Sequence, residues 1–331
     1  MSAGEDELVA WLRRRLPRGD DRLGDDTARL PARGPHVVTV DQQIEGVHFT
    51  AGLDGATIGR RLLAVNLSDL AASGARPLWA LLALTLPPGY DPRPLFRGLL
   101  AACREHRVSL VGGDLARGPR LAMALTLAGE PAPGAAPLGR DRARPGDSLW
   151  LGGTVGDSGL GRELLLRGAR PAGRRIELPA GLVPAALAAA ARRAVVRHLR
   201  PEPQLALGRA LAASRGAGAA IDLSDGLALD LRRLCRASGA GAEIDLAQLH
   251  RALAPRFERL AAALDLSPVG LALGGGEDYV LLFTLRPGAA PPRAHRAIRI
   301  GTVLPGRALR LRDAAGRRHP LPNLGWDHLG R

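Results

Sequence analysis

The chain of 331 residues contains no lysine, and all 46 of its basic residues are arginine. This absence excludes mechanisms that need a lysine amine: a Schiff base, the phosphate-binding lysine of a P-loop and a serine–lysine dyad. Any phosphate chemistry in this protein must therefore take its positive charge from metal ions, arginine side chains and backbone N–H groups.

Cysteine and aromatic residues are also scarce. The two cysteines, Cys103 and Cys235, lie far apart, so the sequence offers neither a disulfide framework nor a zinc-ligand spacing and suits a reducing compartment. Aromatic residues make up 3% of the chain against 46% for all hydrophobic residues, so the cores must be built mainly from Leu, Ala and Val.

No segment of the sequence has the length and apolar character of a membrane span. The strongest apolar run, residues 78–87, is about half as long as a membrane-spanning helix. The first ten residues are acidic and lack the basic-then-apolar order of an export signal. We therefore expect a soluble, cytoplasmic protein without a membrane partner.

The net charge of +14 makes a nucleic-acid partner one interpretation to weigh. The arginines are scattered over helical patterns, and Ala, Gly, Leu and Pro are abundant too, which is typical of a compositional bias. Aromatic side chains that could stack on bases are few. We predict no nucleic-acid partner; a nucleic-acid-binding protein would instead lose binding steeply as salt rises.

Apolar and helical patterns alternate along the first part of the chain and predict an α/β fold with a βαβ unit. The predicted strands are residues 36–41, 78–87, 108–114 and 121–130. The predicted helices are residues 56–73 and 91–108. A Pro- and Gly-rich stretch at 131–147 favours a division into a domain of residues 1–137 and a domain of residues 138–331.

The second part of the chain alternates in the same way. Helices are predicted at residues 184–199, 204–215, 226–238 and 247–263, and strands at 219–225, 241–246, 296–303 and 307–313. The segment "GLALGGGEDYVLLFTL", residues 270–285, is predicted to form two short strands around a glycine loop. These elements complete a second α/β domain.

Acidic residues recur at predicted strand ends and beside glycine loops. They are Asp25, Asp26, Asp41, Asp69, Asp114, Asp222, Asp225, Glu277 and Asp278. Any one of them alone could be a helix cap or a turn residue. Several follow apolar strands, where an uncompensated carboxylate costs on the order of several kcal/mol, and Mg²⁺ bound by hard oxygen ligands would compensate them.

Glycine loops provide the second part of the pattern. "VGGD", "LGGTVGDSGLG" and "LGGGED" let the backbone approach a ligand and direct N–H groups at oxyanions. Acid clusters, glycine loops and arginine together are typical of phosphoryl transfer, which depends on positioning and charge neutralisation. We therefore interpret both "LSD" segments, residues 64–75 and 221–231, as platforms for metal ligands.

These segments follow one another as they do in the thiamine-monophosphate kinases. The chain resembles that family in "TVDQQIEGVHF", "AVNLSDLAASGARPLWALLALTLP", "RPGDSLWLGGTVGDSGLG", "AIDLSDGLALDL", "LGGGEDYVLLFTL" and "GWDH". The wider superfamily includes aminoimidazole ribonucleotide synthetase and selenophosphate synthetase. The resemblance implies an N-terminal α/β domain whose sheet forms the core of a homodimer, followed by a C-terminal α/β domain.

The resemblance also implies the reaction and its site. ATP would phosphorylate thiamine monophosphate to thiamine diphosphate by direct attack of the acceptor phosphate, with several Mg²⁺ ions per site and no enzyme nucleophile. The implied metal ligands are Asp26, Thr39, Asp41, Asp69, Asp114, Asp222 and Asp225. The implied ATP contacts are Gly113, Asp114, Arg140 and Ser224, and the implied contacts to thiamine monophosphate are His48, Glu277 and Trp326.

Two residues depart from the family pattern inside these motifs. Val40 stands where Thr is often found, so any contact there is expected through its backbone, and Val280 stands where Glu is usual. An enzyme of the same superfamily with a different acceptor, and an inactive scaffold, are the other interpretations. The segments "EGVHF" and "GWDH" favour thiamine monophosphate as the acceptor, and the retained acids argue against a scaffold.

Overall fold

A computed structural model describes residues 11–12, 14–15, 36–132, 134–173 and 175–326 of the chain. The chain divides into two compact units, one of Met1–Leu70 and Ala75–Pro131 and one of Ala71–Gly74 and Ala132–Arg331. Both units contain helices and strands, which confirms the predicted mixed α/β class. Within the described ranges, no helix combines the length and the apolar character needed to cross a membrane.

The first unit is built on a four-stranded sheet with the order β1-β4-β2-β3. Its strands are β1 (Val37–Ile44), β2 (Arg76–Leu86), β3 (Ser109–Arg117) and β4 (Ala122–Glu130), and its helices are α1 (Gly55–Ser73), apart from the last three residues, and α2 (Arg93–His106). Strands β2 and β3 are parallel, and the other neighbours are antiparallel. Because a parallel pair needs a crossover connection, α2 completes the predicted βαβ unit.

The two faces of this sheet differ in exposure. Asp41 pairs in register with Leu125, which pairs with Leu82, and these two leucines are 0% and 3% exposed. One residue along, Val40 is 59% exposed and Leu81 is 36% exposed. Since side chains alternate between the faces of a strand, Asp41 belongs to the buried face and Val40 to the exposed, partly apolar face.

Helices α1 and α2 approach each other so closely that two glycines are required. A Cβ atom on Gly98 would lie 2.0 Å from the carbonyl oxygen of Ala56, and one on Gly59 would lie 2.1 Å from the carbonyl oxygen of Leu95. Both contacts involve backbone atoms, which cannot rotate away as a side chain can. The helix that carries the "NLSD" segment is therefore held against α2 at backbone distance.

The second unit contains a seven-stranded sheet with the order β13-β12-β9-β11-β5-β10-β8 and a separate two-stranded sheet of β6 and β7. The strands are β5 (Ser148–Leu151), β6 (Arg170–Ala172), β7 (Arg175–Glu177), β8 (Ala217–Asp222), β9 (Gly241–Asp245), β10 (Leu281–Leu285), β11 (Ile298–Leu304), β12 (Leu309–Arg312) and β13 (Arg318–Pro320). The β9–β12 pair is parallel, and the other described pairs of the large sheet are antiparallel.

The second unit also contains, beside the end of α1, seven helices and one 3-10 turn within its described residues. They are α3 (Asp157–Leu166), the 3-10 turn Ala185–Leu187, α4 (Ala188–Leu199), α5 (Leu205–Ala212), α6 (Leu227–Ser238), α7 (Leu246–His250), α8 (Phe257–Ala262) and α9 (Pro268–Gly274). Buried Leu, Ile, Val and Ala side chains dominate the core between the sheet and its helices, as the scarcity of aromatic residues predicts.

Two predicted elements of the second unit are wrong. Residues 247–263 form two short helices instead of one, because the chain between them contains Pro255 and Arg256 adopts a left-handed φ of 67°. Residues 270–273 belong to a helix and are not a strand. Ser267 accepts the N–H of Gly270 at 3.1 Å and Pro268 follows it, a combination that starts helices.

Substitution of Gly98 by Ala should lower stability although Ala is the better helix former. The new Cβ would overlap the Ala56 carbonyl, and overpacking of this kind costs about 1–3 kcal/mol, more than the roughly 1 kcal/mol gained in helix propensity. Thermal unfolding measures the effect. Arg97→Ala, an exposed change on the same helix, is the control, and a Gly98→Ala melting temperature at or above that of the wild type would contradict the proposed contact.

Candidate active site

Four polar residues of the first unit meet where strand β1 lies against helix α1. The Thr39 hydroxyl donates to Oδ2 of Asp69 at 2.5 Å, and the backbone N–H of Asp41 donates to Oδ1 of Asn66 at 3.1 Å. Thr39 and Asp41 share one face of the strand, and Asn66 and Asp69 lie three residues apart on the helix. Three of these residues were predicted; Asn66 was missed, although its spacing from Asp69 was a usable signal.

The oxygen donors of this group fit Mg²⁺. Mg²⁺ is usually bound by one or two carboxylates together with substrate phosphates, so a preformed cage of acids is not required. Over the described part of the chain, no three His, Cys, Asp or Glu side chains are close enough to form such a cage. The carboxylates of Asp41 and Asp69 are of the type that Mg²⁺ takes together with substrate phosphates.

Asp114 and Gly113 lie elsewhere on the same sheet. Both residues are on strand β3, where they pair with Ala83 and Leu82 of strand β2. Strands β3 and β1 are the two edges of the four-stranded sheet. Three interstrand spacings, about 14 Å, separate those edges, so the structure does not bring Asp114 next to Asp41. Asp114 is exposed at this edge.

His48 follows strand β1 in a tight turn. Its Nδ1 accepts the backbone N–H of Ile44 at 3.1 Å, so the ring nitrogen Nδ1 carries no proton in this arrangement. The contact gives His48 a local structural role beside the predicted one toward the acceptor. Asp26, another predicted ligand, lies outside the described residues.

In the second unit, main-chain hydrogen bonds tie three distant segments together. The N–H of Glu277 donates to the Ser224 carbonyl at 2.6 Å, and the N–H of Trp326 donates to the Asp225 carbonyl at 2.9 Å. Asp222, which ends strand β8, is 4% exposed. The structure thus brings together four predicted site residues, Ser224, Asp225, Glu277 and Trp326, from segments up to about a hundred residues apart.

A buried acid and an arginine shape the turn that carries Asp225. Oδ2 of Asp230 accepts the N–H groups of Asp225 and Gly226 at 3.0 and 3.1 Å. Arg233 Nη1 donates to Asp225 at 2.5 Å and to Asp230 at 2.8 Å. Burial, and then repulsion by Asp225, raise the pKa of Asp230 to about 6, while Arg233 and the hydrogen bonds oppose that shift. Neither Asp230 nor Arg233 was among the predicted site residues.

The glycine loop before strand β10 has an unusual backbone. Glu277 and Tyr279 adopt left-handed φ angles of 56° and 50°, which cost on the order of 1–3 kcal/mol each for residues other than glycine. Asp278, between them, anchors the loop: its carboxylate accepts the N–H groups of Gly156 and Ser158 at 2.7 and 3.1 Å. Such strain persists where surrounding contacts enforce it, and here those contacts place Glu277 beside Ser224.

The Asp278 carboxylate therefore binds the free N–H groups at the start of helix α3, where a negative charge is favourable. Burial raises its pKa to about 7, although both backbone hydrogen bonds favour the ionised form. This carboxylate is occupied by N–H donors on both oxygens. The pattern that marked Asp278 as one of the clustered acids thus reflects a structural role.

Ser158, His198 and Glu277 come together without forming a nucleophilic triad. His198 Nδ1 lies 3.1 Å from the Ser158 hydroxyl and 3.4 Å from Oε2 of Glu277. A triad needs the hydroxyl and the carboxylate on opposite ring nitrogens, whereas both approach the same nitrogen here. The arrangement holds residues in place and does not activate the serine.

The backbone of Arg140 lies apart from Ser224, the other predicted ATP contact of the second unit. Its carbonyl accepts the hydroxyl of Ser238 at 2.7 Å, and Ser238 ends helix α6. Ser224 precedes the first turn of the same 12-residue helix, which is about 18 Å long. The structure does not bring the Arg140 backbone next to Ser224.

Sequence comparison relates most of the chain to enzymes of one kind. Residues 24–130 match the family "AIR synthase related protein, N-terminal domain". The chain is 38% identical to the thiamine-monophosphate kinase of Salmonella typhimurium over 86% of this chain and 83% of that protein. It is 34% identical to the thiamine-monophosphate kinase of Aquifex aeolicus over 85% of each.

Solved structures agree with that relation. AaThiL complexed with AMPPCP and TMP superposes with a TM-score of 0.77, at 29% identity and covering 98% of this chain and 97% of that one. The thiamine-monophosphate kinase of Stenotrophomonas maltophilia gives 0.76 at 35% identity, covering 94% and 97%. The hydrogenase maturation protein HypE in complex with ATP, at 21% identity, gives 0.73 and covers 99% and 97%, a likeness of fold alone. The predicted fold is thereby confirmed.

Asp278→Asn should change how stability depends on pH. The raised pKa means that the folded state binds the Asp278 proton more tightly than the unfolded state, whose pKa is near 3.9. The stabilising effect of the bound proton is complete below pH 4 and is lost as pH rises to about 7. The melting temperature of the wild type minus that of Asp278→Asn should therefore fall between pH 4 and 7. A difference that stays level or rises would refute this ionisation.

Proposed function

The chain belongs to the thiamine-monophosphate kinase family and is a kinase, and we propose that it phosphorylates thiamine monophosphate at a Mg²⁺ site built on its aspartates. The family relation supports the ATP-dependent reaction, and the product, thiamine diphosphate, completes the biosynthesis of that coenzyme. The parts played by individual residues, the metal set and the assembly are our proposal.

The reaction is a direct transfer between phosphates. An oxygen of the thiamine monophosphate phosphate attacks the γ-phosphorus of ATP, the bond from γ-phosphorus to the bridging oxygen breaks, and ADP leaves with that electron pair. No side chain forms a covalent bond to phosphorus. The buried thiols agree with this, because burial raises the pKa of Cys103 and of Cys235 to about 12 and keeps both as unreactive thiols.

One observation carries the assignment of the second unit: the "DLSD" loop, the "GGGED" loop and the segment before Trp326 are joined by main-chain hydrogen bonds. Three segments that resemble the family's motifs are thus neighbours through contacts that do not depend on side-chain identity. This supports roles for Ser224 toward ATP and for Glu277 and Trp326 toward thiamine monophosphate.

Thr39, Asp41 and Asp69 would hold Mg²⁺ in the first unit. When bound, the ion would neutralise phosphate charge. The Thr39 hydroxyl orients the Asp69 carboxylate, and Asn66 holds the Asp41 backbone, so the two acids are positioned before a nucleotide arrives. Asp26, Asp114, Asp222 and Asp225 stay predicted ligands, and Gly113 and Arg140 stay predicted ATP contacts.

The acceptor side suits a flat cation. Trp326 is 52% exposed, so its ring is accessible to a thiazolium, and the face of an indole attracts cations. The side chain of Glu277 is 21% exposed. Its carboxylate would complement the positive thiazolium ring or the amino group of the aminopyrimidine ring of thiamine monophosphate. His48 stays a predicted contact to the same substrate.

The predicted homodimer and the cytoplasmic location belong to the same proposal. The exposed face of the four-stranded sheet presents Val38, 57% exposed, and Val40, 59% exposed. Apolar side chains exposed side by side on a sheet favour a partner surface. A second copy of the chain, joined through this sheet, is the partner that the family resemblance implies.

The reaction is tested by mixing the purified protein with ATP, Mg²⁺ and thiamine monophosphate. We expect thiamine diphosphate and ADP in equal amounts by chromatography. Free thiamine should give no product, because it lacks the attacking phosphate, and EDTA should stop the reaction. ATP consumption with no thiamine diphosphate, or activity undiminished in EDTA, would overturn the proposal.

Asp69→Asn should lower kcat roughly 100-fold or more, equal to about 2.7 kcal/mol, and raise the Mg²⁺ concentration for half-maximal rate. The amide keeps one oxygen as an acceptor for the Thr39 hydroxyl while it removes the charge and replaces the other oxygen by an NH₂ group, so the melting temperature should change little. Glu105→Gln, which alters an exposed ion pair with Arg60, serves as the control and should keep wild-type rates. Near-full activity of Asp69→Asn would remove Asp69 from the metal set.

A further inference from the structure

His198 is a buried histidine that no motif of the sequence marks. It lies in the last turn of helix α4, and its side chain is 8% exposed. Its Nδ1 faces two polar groups from distant parts of the chain, the Ser158 hydroxyl at 3.1 Å and the Glu277 carboxylate at 3.4 Å. An ionised carboxylate can only accept, so donation from His198 to Glu277 requires the proton on Nδ1, and the Ser158 oxygen then accepts from the same N–H.

The backbone around His198 is held by helix packing. A Cβ on Gly161 of helix α3 would lie 2.1 Å from the Ala194 carbonyl and 3.0 Å from the His198 Cβ. Helices α3 and α4 therefore touch at backbone distance beside the ring. Because Ser158 lies on α3 and His198 on α4, the packing of two helices sets where the Nδ1 donor stands.

Glu277 is the member of the group whose carboxylate this donor can orient. Its main chain is fixed by the hydrogen bond to Ser224 and by the anchored Asp278. Its side chain has three rotatable bonds and is 21% exposed, so the main chain alone does not fix its carboxylate. A donor on rigid elements reduces that freedom, which is how supporting residues preorganise a binding site.

We propose that His198 is a positioning residue, which orients the Glu277 carboxylate for recognition of the cationic acceptor through an Nδ1–H donor that Ser158 and the α3–α4 contact keep in place. The inference rests on the proposed function, because it gives Glu277 a role toward thiamine monophosphate. Ordering the carboxylate before the substrate arrives lowers the entropy lost on binding. His198 itself touches neither substrate.

The test compares substitutions that keep or remove a donor at the Nδ1 position. His198→Asn places its amide near Nδ1, and His198→Leu fills similar space with no polar atom. We expect His198→Leu to raise KM for thiamine monophosphate about tenfold, since the lost contact involves a charged group, with KM for ATP within about twofold of wild type. His198→Asn should recover most of the loss. Calorimetric binding of thiamine monophosphate should weaken in parallel.

A matched control is available in the same unit. His250 and Glu258 form another His–carboxylate pair, at 2.6 Å, with side chains 49% and 53% exposed. His250→Leu removes a histidine with a similar partner and should leave both KM values unchanged. If His198→Leu does not fold, His198→Gln replaces it, because its longer amide reaches toward the Nε2 position and leaves Nδ1 without a substitute.

The outcomes separate this inference from the proposed function. A wild-type protein that makes no thiamine diphosphate defeats the proposed function. An active wild type whose His198 variants lose melting temperature but keep KM for thiamine monophosphate defeats the positioning role and leaves a structural histidine. Equal KM changes in the donor-keeping and donor-lacking variants, or equal changes for ATP and thiamine monophosphate, also defeat it. In a double-mutant cycle, Glu277→Ala, which removes the acceptor, should abolish the effect of His198→Leu.

Discussion

The candidate site of the second unit is organised around one buried carboxylate, that of Asp230. A turn between a buried strand and a helix leaves N–H groups without partners, and burying them unpaired costs about 1–3 kcal/mol each. Oδ2 of Asp230 accepts two of them, from Asp225 and Gly226, and so fixes the path of the turn. This turn positions the segments that are bonded to it. The carbonyl of Ser224 accepts the N–H of Glu277, and the carbonyl of Asp225 accepts the N–H of Trp326.

The contacts between these segments run through the main chain, and this explains how the chain tolerates departures inside its motifs. Val280 stands where an acid is usual, yet its carbonyl accepts the N–H of Leu223 and its side chain is buried in the core. Val40 lies on the exposed face of its strand, away from the face that carries Thr39 and Asp41. In both places the main-chain pairing does not depend on which side chain the residue carries.

In this chain without lysine, different carboxylates are stabilised by different groups. Arg233 binds Asp225 and Asp230 together, Arg286 binds the buried Asp147, and Asp278 relies on the N–H groups at the start of a helix. Arginine suits such sites because its planar group serves two acceptors at once and stays charged. Acids that a sequence pattern groups together therefore have different neighbours in the fold, and the pattern alone does not distinguish them.

Periodicity, turn residues and motif order were enough to predict the α/β class, the β2–α2–β3 crossover and most strands, because those features follow from contacts between near neighbours. Local patterns were misleading at residues 247–263 and 270–273, where a proline, a left-handed residue and a serine cap outweighed hydrophobic spacing. The roles of Asn66, Asp230 and His198, and the separation of Asp114 from Asp41, emerged only in three dimensions. A hydrogen bond joins atoms whose distance depends on the path of the chain between them, and no single segment encodes that path.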